Sequence, residues 1–553
     1  MASPQNLAKA TNLPSLFPVP ALIIVSAAFL AIVPFFFLGS PSGHDFEFHI
    51  FSWMEVVHQW KQGVFLPRWA TYAHWTFGEA RFLFYPPASW NLGAFLGSIL
   101  PWQMASGAYV WLTLSAAGFS MFMLARRWFN VADATFAAVL YAVNPYHHVV
   151  VYWRSALAEL LAGCLLPLLL LYVLRSEEEG PRAILPLAGI VAAAWLTNAP
   201  AGVMVTYSIA FLLLTFAIMR RNWRLPMYGA AAVGIGAALA AFYLVPAAYE
   251  QKWINLSQVL APGVRPLDNF LFTNINDADH NHFNLFISIV AVSQILLAGA
   301  MLWDLRRWRS DRSLLWWTLT VWTGAAIVLM CRPSYFLWEL LPELRFVQLP
   351  WRWLLCLNVP LALAVTAVIR RWWIRSVLYA AMIGLLLFLS SHVQQTWWDQ
   401  AADLSEMHDT IEDGTGYEGT DEYVPAGADP YDLNKNAPLV GVVGRDSAHL
   451  RILDWRPYLK RFTAEVSRPE RLRLRLFNYP AWQVEVNGVP IVAKSQPHTG
   501  EILVPVETGI SEIRVKFIQT RDRFWSGFIS LMTLLSVIGW VFYRRRQAFS
   551  SRT

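Results

Sequence analysis

The chain has 553 residues, 56% of them hydrophobic and 15% aromatic, with 14% charged and a formal net charge of +6. A soluble protein carries roughly 25% charged residues. The composition, with a mean hydropathy of +0.39, therefore excludes a soluble enzyme and implies a polytopic α-helical membrane protein. The basic excess falls in short clusters between apolar runs, the pattern of loop anchors, so no nucleic-acid partner is implied.

Taken in chain order, the first apolar run, about 17–39, is too long for a signal-peptide core and lacks a small-residue cleavage site, so it reads as an uncleaved span. Further runs of near-spanning length fall at about 104–125, 130–146, 155–174, 183–198, 200–219, 226–249, 283–303, 314–331, 351–369, 376–394 and 524–543. The predicted total is twelve spans. The run at 88–101 lies between Tyr85-Pro86-Pro87 and Pro101-Trp102 and reads as a re-entrant or interfacial helix.

Arg126-Arg127, Arg175/Arg182, Arg220-Arg221/Arg224, Arg306-Arg307/Arg309/Arg312, Arg370-Arg371/Arg375 and Arg544-Arg545-Arg546 punctuate alternate connections. The positive-inside rule places them, and both termini, in the cytoplasm. The extracytoplasmic parts are then a large first loop (40–103), short segments at 147–154, 250–282 and 332–350, and a soluble region at 395–523. Residues 1–394 form the helical membrane domain, and 524–553 the last span with a basic tail.

The soluble region begins acidic, with eleven Asp or Glu and no Lys or Arg between Asp399 and Asp432. From about 448 its apolar residues alternate with period two, as in Leu472-Arg473-Leu474-Arg475-Leu476 and Ile513-Arg514-Val515-Lys516-Phe517. Asn487-Gly488 between two such runs is a type I′ hairpin signal. An antiparallel β-sandwich is predicted. Cys164, Cys331 and Cys356 lie in or beside apolar runs with no CxxC spacing and read as packing residues. Trp residues gather at span ends as an aromatic belt.

The densest chemistry is Gly43-His44-Asp45-Phe46-Glu47-Phe48-His49, directly after the first span. Ionisable groups at a membrane surface are costly unless paired or wetted, so they suggest a site. A helix over 45–62 puts Asp45 and His49 on one face and points Glu47 elsewhere. Asp45 is the candidate base for an arriving hydroxyl, and equally a candidate N-cap.

His44 and His49 are assigned to substrate binding, because nothing here matches a zinc spacing. A second ligand-rich set, Asp277, Asp279, His280 and His282, is read first as a polar cap or loop and second as a weak metal site. No cofactor is required, and a divalent metal stays an open option. Among the cations assigned outside, Lys61, Arg68, Arg81, Arg154, Lys252, Arg265, Arg332, Arg345 and Arg352, the last two bracket a Pro before a span and best suit a phosphate. Arg154 and Glu159 are five residues apart and so not on one face of a regular helix, yet Glu159 lies within a span and needs a partner. No P-loop, Rossmann, haem or CxxC motif is present, which argues against an ATP-driven pump.

The runs GHDFEFH…GVFLPRW…FLFYPP, NPYHHVVVYWRSALAE and LRFVQLPWRW resemble bacterial multispanning proteins related to the GT-C glycosyltransferases, some of them labelled 6-pyruvoyl-tetrahydropterin synthase-related membrane proteins. FNYPAWQVEVNG resembles the external domain of the YfhO-like branch. The resemblance spans nearly the whole chain through loose motifs. The compact histidine site of pterin chemistry is not supplied.

The GT-C resemblance implies an acidic residue near the start of the first external loop, at Asp45. The paired-acid pattern is met imperfectly by Asp45 and Glu47. It also implies a cavity for a polyprenyl-phosphate sugar donor, with Arg345, Arg352, Arg68, Arg154 and Glu159 as further substrate-binding candidates. The implied partners are that lipid, membrane lipids and an extracytoplasmic glycan, lipid or protein acceptor. The rival reading is a non-enzymatic lipid or polysaccharide transporter, or an envelope-assembly scaffold on a degenerate GT-C fold. Against a transporter, no internal repeat is visible.

Overall fold

A computed structural model describes residues 18–306, 309–393, 395–443 and 448–550, with only the backbone described at 309–314 and 548–550. Arg307 of the fourth basic cluster, and the side chains of Arg309 and Arg312, lie outside the described residues. The chain divides into two compact units, each assembled from three segments. The first comprises Met1–His49, Ile99–Gly236 and Pro262–Ala402, and the second Ile50–Ser98, Ala237–Ala261 and Asp403–Thr553.

The protein is multi-pass. Seven helices among the described residues are long and apolar enough to cross a membrane, or up to nine if each of two bent pairs is one span. Local backbone chemistry explains how this differs from twelve apolar runs. The run at 17–39 becomes the helices Pro18–Leu30 and Val33–Leu38, because Pro34 cannot donate to the preceding turn. The run at 130–146 contributes only the 12-residue helix Val131–Ala142, capped by Asn130. The runs at 155–174 and 183–198 form one 41-residue apolar stretch, Leu157–Thr197. Leu315–Met330 turns by 89° into Arg332–Leu340 where Pro333 follows Arg332. The run at 88–101 is the 13-residue helix Pro87–Ile99.

Two long helices keep apolar surface bare. Windows of Trp372–His392 and Arg521–Gln547 are only 17% and 11% buried, a covering that lipid chains supply and water would not.

In the first unit, β1 (Ser40–Pro41) pairs antiparallel with β2 (Trp398–Asp399). The other strands belong to the second unit: β3 (Val440–Val442), β4 (His449–Arg456), β5 (Leu459–Val466), β6 (Glu470–Phe477), β7 (Trp482–Val486), β8 (Val489–Ile491), β9 (Lys494–Ser495), β10 (Glu501–Val506) and β11 (Gly509–Phe517). They form two antiparallel sheets, ordered β3-β6-β10-β9 and β4-β5-β11-β7-β8.

The period-two pattern is realised residue by residue. Leu472, Leu474, Leu476, Phe462, Ala464, Ile513, Val515 and Phe517 are buried, while Arg461, Glu512, Arg514 and Lys516 face solvent. Val486 pairs with Val489 across a two-residue turn in which Asn487 (φ 52°) and Gly488 (φ 78°) are both left-handed, the type I′ geometry.

The second unit is pinned by a buried ion pair. Arg523, at the head of the last helix, donates from Nε and Nη2 to Glu250 at 2.6 Å each, and Tyr479 Oη donates to the same carboxylate at 2.5 Å. Arg523→Ala strands a buried carboxylate and should cost about 3–5 kcal/mol. It should appear as a lower thermal midpoint of the detergent-solubilised protein, recovered only partly by Arg523→Lys, which lacks the bidentate fork.

Candidate functional site

The local fold around Asp45 follows from the absence of one Cβ. A side chain on Gly43 would meet the Trp153 carbonyl oxygen at 2.5 Å and Arg154 carbon at 2.7 Å. Glycine therefore lets the first loop lie against residues 153–155. Gly43 N–H donates to Ser155 Oγ at 3.0 Å, Ser155 Oγ donates to the Pro41 carbonyl at 2.7 Å, and Asp45 N–H donates to the Arg154 carbonyl at 2.9 Å. Asp45 also heads the helix Phe46–Lys61, its carbonyl accepting His49 N–H at 3.2 Å.

The Arg154 side was hidden from sequence reasoning by a backbone irregularity. Val150–Arg154 is a π-turn ending at Ser155 in the left-handed region (φ 50°). π-turns recur at functional sites, and the left-handed Ser155 that ends this one breaks the helical spacing between residues 154 and 159. Arg154 Nη1 thus donates to Glu159 Oε2 at 2.6 Å. Glu159 is the hub of the cluster. Its Oε2 also accepts from Arg352 Nε at 3.0 Å, and Oε1 accepts from Tyr146 Oη. Arg352 Nη1 donates to the Val347 carbonyl (2.8 Å) and Gln348 Oε1 (3.1 Å). Arg154 lies over the Trp351 ring at 4.8 Å.

Asp45 Oδ2 is 3.5 Å from Arg154 Nη2, and Oδ1 is 2.6 Å from His44 Nδ1. Glu159 is sealed at 1% exposure, whereas Asp45 is 27% exposed and His44 80%. The cluster thus runs from a dry centre to a wet carboxylate. Its four main members, Asp45, Glu159, Arg154 and Arg352, sum to zero formal charge. Burial by itself would push the Asp45 carboxyl up. The His44 hydrogen bond and the Arg154 charge outweigh it and hold the group well below the usual carboxylate range. The same hydrogen bond and the Asp45 charge raise His44 above 6.5.

The other candidates differ in exposure and setting. Glu47 and Arg345 are exposed, Arg345 lying 5.2 Å from the Phe346 ring centre. His49 is buried, and its charge is among those that lower Asp45. Arg68 belongs to the second unit, where Nη2 donates to the Phe242 carbonyl at 3.4 Å.

Asp277 accepts His280 N–H at 3.0 Å as the N-cap of Ala278–Leu305, and His280 Nε2 lies 3.1 Å from the Asp268 carbonyl. Among the described residues, no three or more His, Cys, Asp or Glu side chains are grouped to hold a metal. Asp277, Asp279, His280 and His282 therefore give a helix cap and its neighbours rather than a ligand shell.

Sequence reasoning missed Tyr146, Gln348 and Ser155 as parts of this site, although Tyr146 and Ser155 lie in a motif already singled out. It also missed two buried carboxylates in the second unit. Glu55 accepts from Tyr417 Oη (2.7 Å), Gln59 Nε2 (3.0 Å) and Thr71 N–H. Burial pushes it up to about 7 against those bonds. Glu79 pairs with Arg81 at 2.5 Å and His74 at 3.0 Å. The available signal was an acid inside an otherwise apolar run, Trp53-Met54-Glu55-Val56-Val57.

Residues 82–397 match the family described as 6-pyruvoyl-tetrahydropterin synthase related domain, membrane protein. That match includes Arg154, Glu159, Arg345 and Arg352 and begins after Asp45. No curated protein matches the chain significantly.

Three solved structures are similar at low identity. ArnT from Cupriavidus metallidurans bound to undecaprenyl phosphate has 13% identity and a TM-score of 0.43, covering 71% of this chain and 76% of that one. Mycobacterial arabinofuranosyltransferase AftD, mutant R1389S, has 17% identity and a TM-score of 0.38, covering 70% and 28%. The Archaeoglobus fulgidus oligosaccharyltransferase in its apo form has 15% identity and a TM-score of 0.39, covering 72% and 56%.

Two expectations follow from the geometry. Gly43→Ala should lower the thermal midpoint by several degrees, whereas Gly189→Ala, whose Cβ meets nothing within 4 Å, should leave it unchanged or raise it slightly. The Asp45–His44 contact should show a two-sided pH window. The depressed Asp45 contributes above pH 3.8 and is lost as pH falls below it, and the raised His44 contributes below pH 6.5 and is lost as pH rises through its folded value. NMR titration of labelled histidine should find His44 above 6.5 in the wild type and back near it in Asp45→Asn.

Proposed function

Because the chain belongs to the 6-pyruvoyl-tetrahydropterin synthase-related family of membrane proteins, and its site lies where three loosely GT-C-like motifs converge, we propose that it is a membrane glycosyltransferase. It would move a sugar from a polyprenyl-phosphate donor to an extracytoplasmic glycan, lipid or protein acceptor. The observation that carries this reading is that convergence. Segments 43–45, 146–159 and 348–352 meet at one half-exposed carboxylate backed by a closed ion-pair cluster. We place Asp45 on the extracytoplasmic side of a bacterial inner membrane, with both termini cytoplasmic, twelve spans in a GT-C-like fold, and 395–523 as the external β-domain.

In the proposed step the acceptor hydroxyl oxygen bonds to the anomeric carbon as the bond from that carbon to the lipid phosphate oxygen breaks. Asp45 accepts the hydroxyl hydrogen bond and aims the oxygen, and the proton passes to solvent or to the departing phosphate. Its low proton affinity suits it to orientation and charge stabilisation more than to strong base catalysis. Arg352 is already occupied by Glu159, Val347 and Gln348, so the phosphate is assigned to the exposed Arg345.

A second reading is favoured by one observation. The four-charge cluster is neutral and complete without a ligand, as a purely structural latch would be, which fits a transporter or scaffold on a degenerate fold.

Sugar transfer from polyprenyl-phosphate donors in reconstituted membranes separates the two readings. Asp45→Asn should reduce transfer by about 10²–10³-fold, Arg345→Ala should raise KM for the donor with little change in kcat, and Glu47→Gln should change neither. Equal transfer by wild type and Asp45→Asn removes Asp45 from the mechanism. No transfer by wild type with several donors favours the latch.

A further inference from the structure

The first unit holds a cavity of about 390 Å³ lined by Phe272, Asn274, Asn281, His282 and Leu285. His282 belongs to the ligand-rich stretch read from sequence first as a polar cap or loop and second as a weak metal site. We propose that the cavity is a saccharide-binding subsite for the acceptor, with Phe272 as the stacking platform and Asn274 and His282 as hydroxyl partners. This proposal rests on the glycosyltransferase reading.

Phe272 carries the first part of the argument. It holds φ at 60°, a conformation strained for a bulky L-residue that persists only where its surroundings impose it. Those surroundings are explicit. Phe272 N–H donates to Ser288 Oγ at 2.8 Å, and Asn284 Nδ2 donates to the Phe270 (3.1 Å) and Thr273 (2.7 Å) carbonyls. Asn281 clamps Ile275 through both its amide N–H and its carbonyl, at 2.7 Å each. Three side chains of one helix therefore hold the turn so that an aromatic ring, 53% exposed, stands at the cavity.

The lining chemistry selects the ligand. None of the five side chains is acidic or is a Lys or Arg, so the cavity offers no charge partner to a phosphate or an ammonium. Asn274 and His282 side chains have no hydrogen-bond partner among the described residues, and both are exposed. An aromatic face beside an amide and an imidazole matches a neutral ring with C–H on one side and hydroxyls at its edge.

The cavity also adjoins the reacting carboxylate's own scaffold. Trp153, the residue before Arg154, stacks on Phe286 at 4.9 Å and meets the His282 ring at 6.0 Å. One indole thus connects the turn that presents Arg154 with the wall of the cavity.

The test uses the full chain in lipid nanodiscs free of glycosidic detergent, probed with methyl glycosides of common hexopyranoses and pentofuranoses by saturation-transfer NMR. At least one glycoside should receive saturation from wild type. Phe272→Gly should weaken that binding about tenfold, the value of a lost aromatic contact. Its thermal midpoint should be no lower than wild type, because glycine relieves the left-handed strain. A role confined to folding would move the midpoint and not the binding.

His282→Ala should also weaken binding, and inorganic phosphate should not displace the glycoside. The proposal is overturned if no glycoside is saturated, if Phe272→Gly binds as wild type does, or if phosphate competes. Transfer assays separate the two levels. Active wild type with an unchanged acceptor KM in Phe272→Gly removes the subsite and leaves the enzyme. Binding without transfer by wild type removes the enzyme and leaves a saccharide-binding site.

Discussion

The first unit is organised around a buried carboxylate. Glu159 at 1% exposure would be very costly to bury alone, so the chain must deliver cations and donors to it. Arg154, Arg352 and Tyr146 are those partners, and each comes from a different local structure: a π-turn, a Pro-led 3₁₀ turn and a short Pro-started helix. Their positions are coupled, because removing any one leaves the others with uncompensated charge or unpaired polar atoms. The irregular backbone here is a consequence of that requirement rather than disorder within a helical protein.

Asp45 is the outermost consequence of the same constraint. Gly43 lets the loop reach the Trp153–Ser155 backbone, and Ser155 then ties both sides together. Asp45 arrives beside Arg154 with part of its carboxylate still wet. A dry, formally neutral cluster thus stands next to a partly solvated acid, with its charges fixed in place by one another. The same completeness is what a structural latch would need.

Local patterns carried much of the architecture. Composition implied a multi-pass protein, alternation implied the sheets, and Asn487-Gly488 implied the left-handed hairpin turn that Val486 and Val489 flank. The count of spans was less legible, because Pro34 divides one apolar run, Pro333 accompanies a sharp bend and two runs merge into a 41-residue stretch. Hydropathy measures whether a run prefers lipid. It does not measure whether its backbone hydrogen bonds continue.

The candidate site divides the same way. Sequence alone determined which residues were chemically out of place: Asp45 beside a span, Glu159 within one, and arginines around Pro350. Those judgements need only the cost of burying charge, which is a property of each residue in its neighbourhood. Tertiary structure decided the partners. Arg154 reaches Glu159 across the backbone break at the left-handed Ser155, Arg352 joins the hub while Arg345 stays exposed, and His49 is buried while His44 is exposed. Pairing depends on distances between segments far apart in the chain and on single backbone torsions such as Ser155, and periodicity carries neither.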